Sequence, residues 1–123
     1  MTRLTVTLCG SLTRAATDLA RIHRALALAG HLVHTPVPPL PGETPATAEQ
    51  IRNLADRHYA AINDSQLVIG VATDGRPGSS TSTEMRYAVA LVGHTRWVLS
   101  PQALDALLAD IAAGRLTATE VPA

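Results

Sequence analysis

The chain has 123 residues, which suits one domain, and 46% of them are hydrophobic, enough for a core. Ten basic residues, all Arg and scattered, balance ten acidic ones. The basic stripe of a nucleic-acid binder is therefore missing, and neither DNA nor RNA is expected as a partner.

The first residues are broken by polar groups too soon for a signal peptide, and no apolar run has the length of a membrane span, so a cytoplasmic protein is expected. Cys9 is the single cysteine, which argues against a disulfide framework or a cysteine-based zinc site, and no metal centre is expected. With no Phe, one Trp and two Tyr, the core has to be built from Ala, Leu and Val.

Residues 4–10, LTVTLCG, are β-branched and apolar and stop at a glycine, which predicts a buried first strand. Residues 14–29 carry Leu19, Ile22, Leu26 and Ala29 on one helical face, and Gly30 follows as the stop signal. A short strand is predicted within residues 31–37, then a Pro-rich loop, PPLPGETPA, long enough to wall a site. Thr47 and Gln50 have capping-box spacing and open a helix with Ile51, Leu54, His58 and Ile62 on one face. Residues 66–72, QLVIGVA, are the clearest buried strand. A helix is predicted from about Thr81 to Val92, a fourth strand over TRWVLS, and a helix from Pro101 capped by Ser100. LTATEV, residues 116–121, is expected as a fifth strand.

This β-α alternation calls for a single three-layer α/β domain over residues 1–123. The expected sheet is parallel, five-stranded and flavodoxin-like, in the order 2-1-3-4-5. Such sheets bind ligands beyond the carboxyl ends of the strands where the order reverses, here between the first and third strands. The loop after the first strand brings Gly10, Ser11 and Arg14 to that point. The loop after the third brings Asp74, Gly78, Ser80, Ser82 and Glu84. Hydroxyls and free N–H groups at a helix start suit a phosphate, and Arg14 at a helix start is unfavourable unless an anion is near.

Plainer roles compete. Gly10 permits a tight turn, Ser11 or Thr13 can cap a helix, and Thr81 with Glu84 makes a T-x-x-E capping box that by itself accounts for Glu84. His58 on an apolar helix face reads as a packed residue. His31 and His34 point to opposite faces of a strand and make no metal pair.

The segments LCGS, QLVIGVATDG and GSSTSTEMRYAVAL, in this order and spacing, resemble the nucleoside 2-deoxyribosyltransferase superfamily, and within it the nucleoside 5'-monophosphate N-glycosidases that act on deoxynucleotides or on CMP. The resemblance covers roughly residues 4–100. It implies a nucleoside deoxyribosyltransferase-like fold, no cofactor, a nucleotide substrate, and a carboxylate at Glu84 that attacks or stabilises the anomeric carbon. The CGS turn at Cys9, Gly10 and Ser11 then lies near sugar and phosphate. The chain departs from the family pattern where Thr7 replaces a Tyr, His58 stands at an Asp position, Gly78 replaces Asp or Ser, and Ser80 and Ser82 replace glycines. His58 is a candidate general acid toward the leaving base.

The expected function is N-glycosidic hydrolysis of a nucleoside 5'-monophosphate. The alternatives are a nucleotide or nucleotide-sugar binding module without turnover, and a deoxyribosyltransferase. In MRYAVALV, residues 85–92, only Arg86 is charged. Met85, Ala88, Val89 and Val92 are expected to face the sheet, leaving Tyr87, Ala90 and Leu91 for a second helix or a second subunit. The resemblance favours a homodimer or higher homo-oligomer.

Overall fold

The computed structural model describes residues 3–118. Eight elements alternate: β1 (Thr5–Gly10), α1 (Ala16–Leu28), β2 (Leu32–His34), α2 (Ala48–Asn63), β3 (Leu67–Val71), α3 (Ser79–Leu91), β4 (Thr95–Val98) and α4 (Pro101–Ala112). All sheet pairings are parallel, in the order β2-β1-β3-β4. The α/β class and the strand order expected from sequence hold as far as β4.

The fifth strand does not. Among the described residues the sheet has four strands, and residues 115–118 are not strand. Leu116 is instead buried in the core beside Ile111, so its side chain packs on the α4 side while the backbone leaves the sheet. Residues 119–121 of the expected strand lie outside the described residues.

The two faces of the sheet differ because strand side chains alternate. Val6 and Leu8 of β1 and Leu67, Ile69 and Val71 of β3 join Leu19, Ile22 and Leu26 of α1 and Leu104, Leu107 and Ile111 of α4 in the main core. The opposite face carries Thr7, Cys9, Val68 and Gly70, covered by α2 and α3 through Ile62, Met85 and Ala88. That second layer is thin and partly polar. Thr7 and Ser65 hydroxyls share a buried 2.6 Å hydrogen bond in it.

Local signals formed as written. Thr47 Oγ1 accepts from the Gln50 N–H at 3.1 Å, and Gln50 Oε1 accepts from the Thr47 N–H at 2.9 Å, closing the capping box. Ser100 caps α4 with Pro101 at its first position. Gly30 and Gly114 follow α1 and α4 at φ 91° and 70°, a region that a β-carbon disfavours.

Three expectations about faces and ends are corrected. α1 begins at Ala16, not Arg14, because Leu12–Arg14 form a turn closed by Ala15 N–H on Ser11 O at 2.8 Å. On α2 only His58 and Ile62 are buried, while Ile51 and Leu54 are exposed, so the amino-terminal half of the helix is not packed on the sheet. On α3, Val89 is 57% exposed and does not face the sheet, whereas Tyr87 is half-buried. The cause is α2 alongside: Tyr59 meets Tyr87 edge-on with ring centroids 4.8 Å apart, and the Tyr87 hydroxyl donates to Asn63 Oδ1 at 3.0 Å.

Candidate active site

α3 starts at Ser79, with Gly78 as its N-cap in extended conformation and no side-chain cap. The first helical bond runs from Ser82 N–H to Gly78 O at 3.0 Å. The expected Thr81–Glu84 capping box is therefore absent. A run of five hydroxyl residues, Ser79 to Thr83, offers a local rule several equivalent starts, and the chain takes the one before all of them. Thr81 is buried in the first turn, and Glu84 falls in the second turn, out of reach of the free N–H groups. Its carboxylate is consequently not a helix cap.

An open cleft of about 500 Å³ lies at the carboxyl ends of β1 and β2, beside the start of α3. Gly10, Ser11, Arg14, His58, Gly78, Ser80 and Glu84 of the sequence candidates line it, together with His34, Leu54 and Arg57. Asp74 and Ser82 do not. Asp74 accepts from the Arg76 N–H at 2.9 Å and pairs with Arg14 Nη1 at 3.3 Å, on the rim of a smaller neighbouring cavity. Ser82 is half-buried on α3 away from the cleft. The Ser11 hydroxyl is engaged in its own turn, accepting from the Arg14 N–H at 3.1 Å and facing Thr13 Oγ1 at 3.0 Å. Ser79 and Ser80 of the first turn of α3 line the cleft, and a helix start attracts anions.

Under the cleft three elements converge. His58 Nε2 from α2 lies 3.3 Å from Glu84 Oε1 and 3.4 Å from Cys9 Sγ at the end of β1. Cys9 is fully buried and His58 is 6% exposed, while the Glu84 side chain keeps 19% exposure on the cleft. Burial, and then the Glu84 carboxylate, push the Cys9 thiol far up, so it stays protonated and is no nucleophile. His58 Nδ1 and His34 Nε2 are buried with no hydrogen-bond partner among the described residues. The two rings lie 5.4 Å apart between centroids. Burial, with the nearby Arg57 and His58, lowers His34 to about 4 and keeps it neutral.

His58 was legible in sequence as a packed histidine, and it is both packed and part of the site. His34 and Tyr59 were missed as site neighbours, and Cys9 was expected only through the resemblance, as part of the CGS turn. Tyr59 lines a shallow groove with Glu84, and burial followed by the Glu84 charge raises its phenol. The strand alternation that separates His31 from His34 could have found His34. His31 turns away, and its Nδ1 accepts from the Leu4 N–H at 3.0 Å.

No protein-family model matches the chain, and no curated protein sequence matches it. No helix among the described residues is long and apolar enough to cross a membrane.

Proposed function

We propose that the protein is a nucleotide N-glycosidase that hydrolyses the N-glycosidic bond of a nucleoside 5'-monophosphate. The observation that carries this reading is the position of Glu84: a carboxylate free of any capping role, held by His58 at the floor of a cleft whose rim is the start of α3. The phosphate binds at the first-turn N–H groups and the Ser80 hydroxyl, with Arg14 turning from Asp74 to add charge. The sugar then lies over Glu84. As the bond to the base breaks, positive charge grows on the anomeric carbon, and the carboxylate offsets it or traps it as an ester. Water completes the reaction, giving the sugar phosphate and the free base. His58 holds Glu84 through Nε2, so orienting that carboxylate is its first role, and proton donation to the base is secondary.

Two readings stand beside this one. The hydroxyl of Thr7 is consumed by Ser65 in the core and offers nothing to a ligand, which favours a nucleotide-binding module without turnover. A deoxyribosyltransferase would use the same carboxylate with a second base in place of water. No cofactor is required in any of the three. We place the protein in the cytoplasm on the same reading.

We also propose a two-fold dimer through the outer face of α3. Val89 is exposed there, Leu91 is 63% exposed, and the edge strand β4 follows directly.

The test is a chromatographic screen of nucleosides and 5'-monophosphates for released base. Glu84→Gln keeps size and hydrogen bonding, so folding should hold while release falls by roughly 10³-fold or more. Near-normal turnover in that variant would remove Glu84 from the chemistry. Base release without Glu84 dependence from nucleosides alone would remove the phosphate assignment as well.

A further inference from the structure

The geometry points to a mononuclear site for a soft divalent cation, zinc above all, formed by Cys9 Sγ, His58 Nε2 and Glu84. The three donor atoms come from β1, α2 and α3 and lie within 4.8 Å of one another. A tetrahedral zinc with Zn–S of about 2.3 Å and Zn–N and Zn–O of about 2.0 Å has S···N and N···O edges of roughly 3.5 and 3.3 Å. The corresponding separations here are 3.4 and 3.3 Å. Two edges of the polyhedron therefore already exist, the third is no longer than 4.8 Å, and Glu84 is the donor exposed on the cleft side.

Charge supports the same conclusion. Thiolate, neutral imidazole and carboxylate carry two negative charges, which cancel a divalent cation. The product is a neutral group in a place where an uncompensated charge would be costly. Binding replaces the thiol proton, which leaves to solvent, and no oxidant or reductant is involved. Thiolate and imidazole together select zinc over magnesium or calcium. The fourth position faces the cleft, where water or a ligand oxygen completes the set.

The orphaned nitrogens fit this occupant too. A metal-bound imidazole uses its second nitrogen as a hydrogen-bond donor. His58 Nδ1 is buried without a partner, and the neighbouring His34 ring carries a buried Nε2 without one. With the ring centroids 5.4 Å apart, His34 is the neighbouring acceptor for His58 Nδ1.

The expectation from sequence that one cysteine makes no zinc site considered cysteines alone. The donors here are of three kinds, and Cys9 and His58 are 49 residues apart. The proposal does not depend on the glycosidase reading. If both hold, metal and substrate compete for Glu84, and zinc inhibits hydrolysis.

The experiment titrates the purified full chain with zinc alone, by calorimetry against a chromophoric chelator, and with cobalt alone, by absorption. One equivalent should bind with submicromolar affinity, and the cobalt protein should show a thiolate-to-metal charge-transfer band with tetrahedral visible bands. Cys9→Ser should abolish the charge-transfer band and weaken zinc by roughly 100-fold or more. Glu84→Gln should weaken zinc while leaving the band. No binding by the wild type, or cobalt bound without a thiolate band, overturns the site, as does unchanged zinc affinity in a folded Cys9→Ser protein. The cobalt spectrum of the wild type decides the matter even if Cys9→Ser does not fold. None of these readouts uses catalytic turnover, so the metal site and the hydrolase reading fail separately.

Discussion

Gly70→Ala tests how α3 is held over the site. Gly70 sits in β3 on the face covered by α3, and a β-carbon there would lie 2.8 Å from Met85 Cγ, 2.8 Å from Met85 Sδ and 2.9 Å from the Trp97 ring. Carbon–carbon contacts are optimal at about 3.5–4.0 Å, so the added methyl overlaps three neighbours by most of an ångström. Met85 is 1% exposed and cannot swing into solvent, so the relief has to come from α3 or from the Trp97 ring. Overpacking of this kind costs about 1–3 kcal/mol. Gly70 does not have a positive φ, so alanine is not strained there and regains about 0.4–1 kcal/mol by restricting the unfolded chain. The net expectation is a loss of about 1–2 kcal/mol, or about 4 °C per kcal/mol in Tm for a domain of this size. Urea unfolding followed by circular dichroism measures it. Combining the change with Met85→Ala, which removes two of the three overlaps, should cost clearly less than the sum of the single variants. A Gly70→Ala protein within 0.3 kcal/mol of wild type, or strict additivity in the double variant, would refute the close-contact argument. Because Met85 adjoins Glu84, base release should also fall in the single variant more than stability alone explains.

The other predictions are simpler. Thr47→Ala removes the Oγ1 acceptor of the α2 capping box while the residue 47 N–H keeps its bond to Gln50 Oε1, and should cost about 1 kcal/mol, read as a lower urea midpoint with an unchanged m-value. Arg96 above all, with Arg115 and against the opposing effect of burial, holds the Asp110 carboxyl below the usual carboxylate range. Its contribution is therefore present above the ordinary Asp value near pH 4 and is lost as pH falls through the lowered folded value. Asp110→Asn should cost a few tenths of a kcal/mol at pH 7 and progressively less as the pH falls below about 4, measured by denaturant unfolding across that range. Leu91→Arg changes a side chain that is 63% exposed, so the fold should be stable to within about 0.5 kcal/mol while the proposed dimer dissociates. Light scattering at micromolar concentration decides it, and a monomeric wild type would sink the dimer.

What the sequence determined by itself is what local physics controls. The β-branched runs around Val6 and Ile69, the Gly30 and Gly114 stops, the Thr47–Gln50 box and the Ser100–Pro101 cap all act within a few residues. A hydrogen bond or a steric preference of that range has nearly the same outcome in any fold, so elements and strand order up to β4 could be read directly. The cleft was expected beyond the carboxyl end of β1, where the flavodoxin-like order adopted for this alternation reverses, and Gly10 and Ser11 do line it.

Tertiary structure decided the rest. Five adjacent hydroxyls left the start of α3 undetermined, and its position at Ser79 is what frees Glu84 from capping. Ile51 and Leu54 have the spacing of a buried face, yet only the second half of α2 meets the sheet. Leu116 reads equally well as strand or as core plug, and its packing on the α4 side removed it from the sheet. The convergence of Cys9, His58 and Glu84 depends on how α2 and α3 lie across β1, and a 3.3 Å contact between separate elements is set by the whole packed layer. No pattern within a single segment encodes it, because each of the three residues alone has an ordinary structural role.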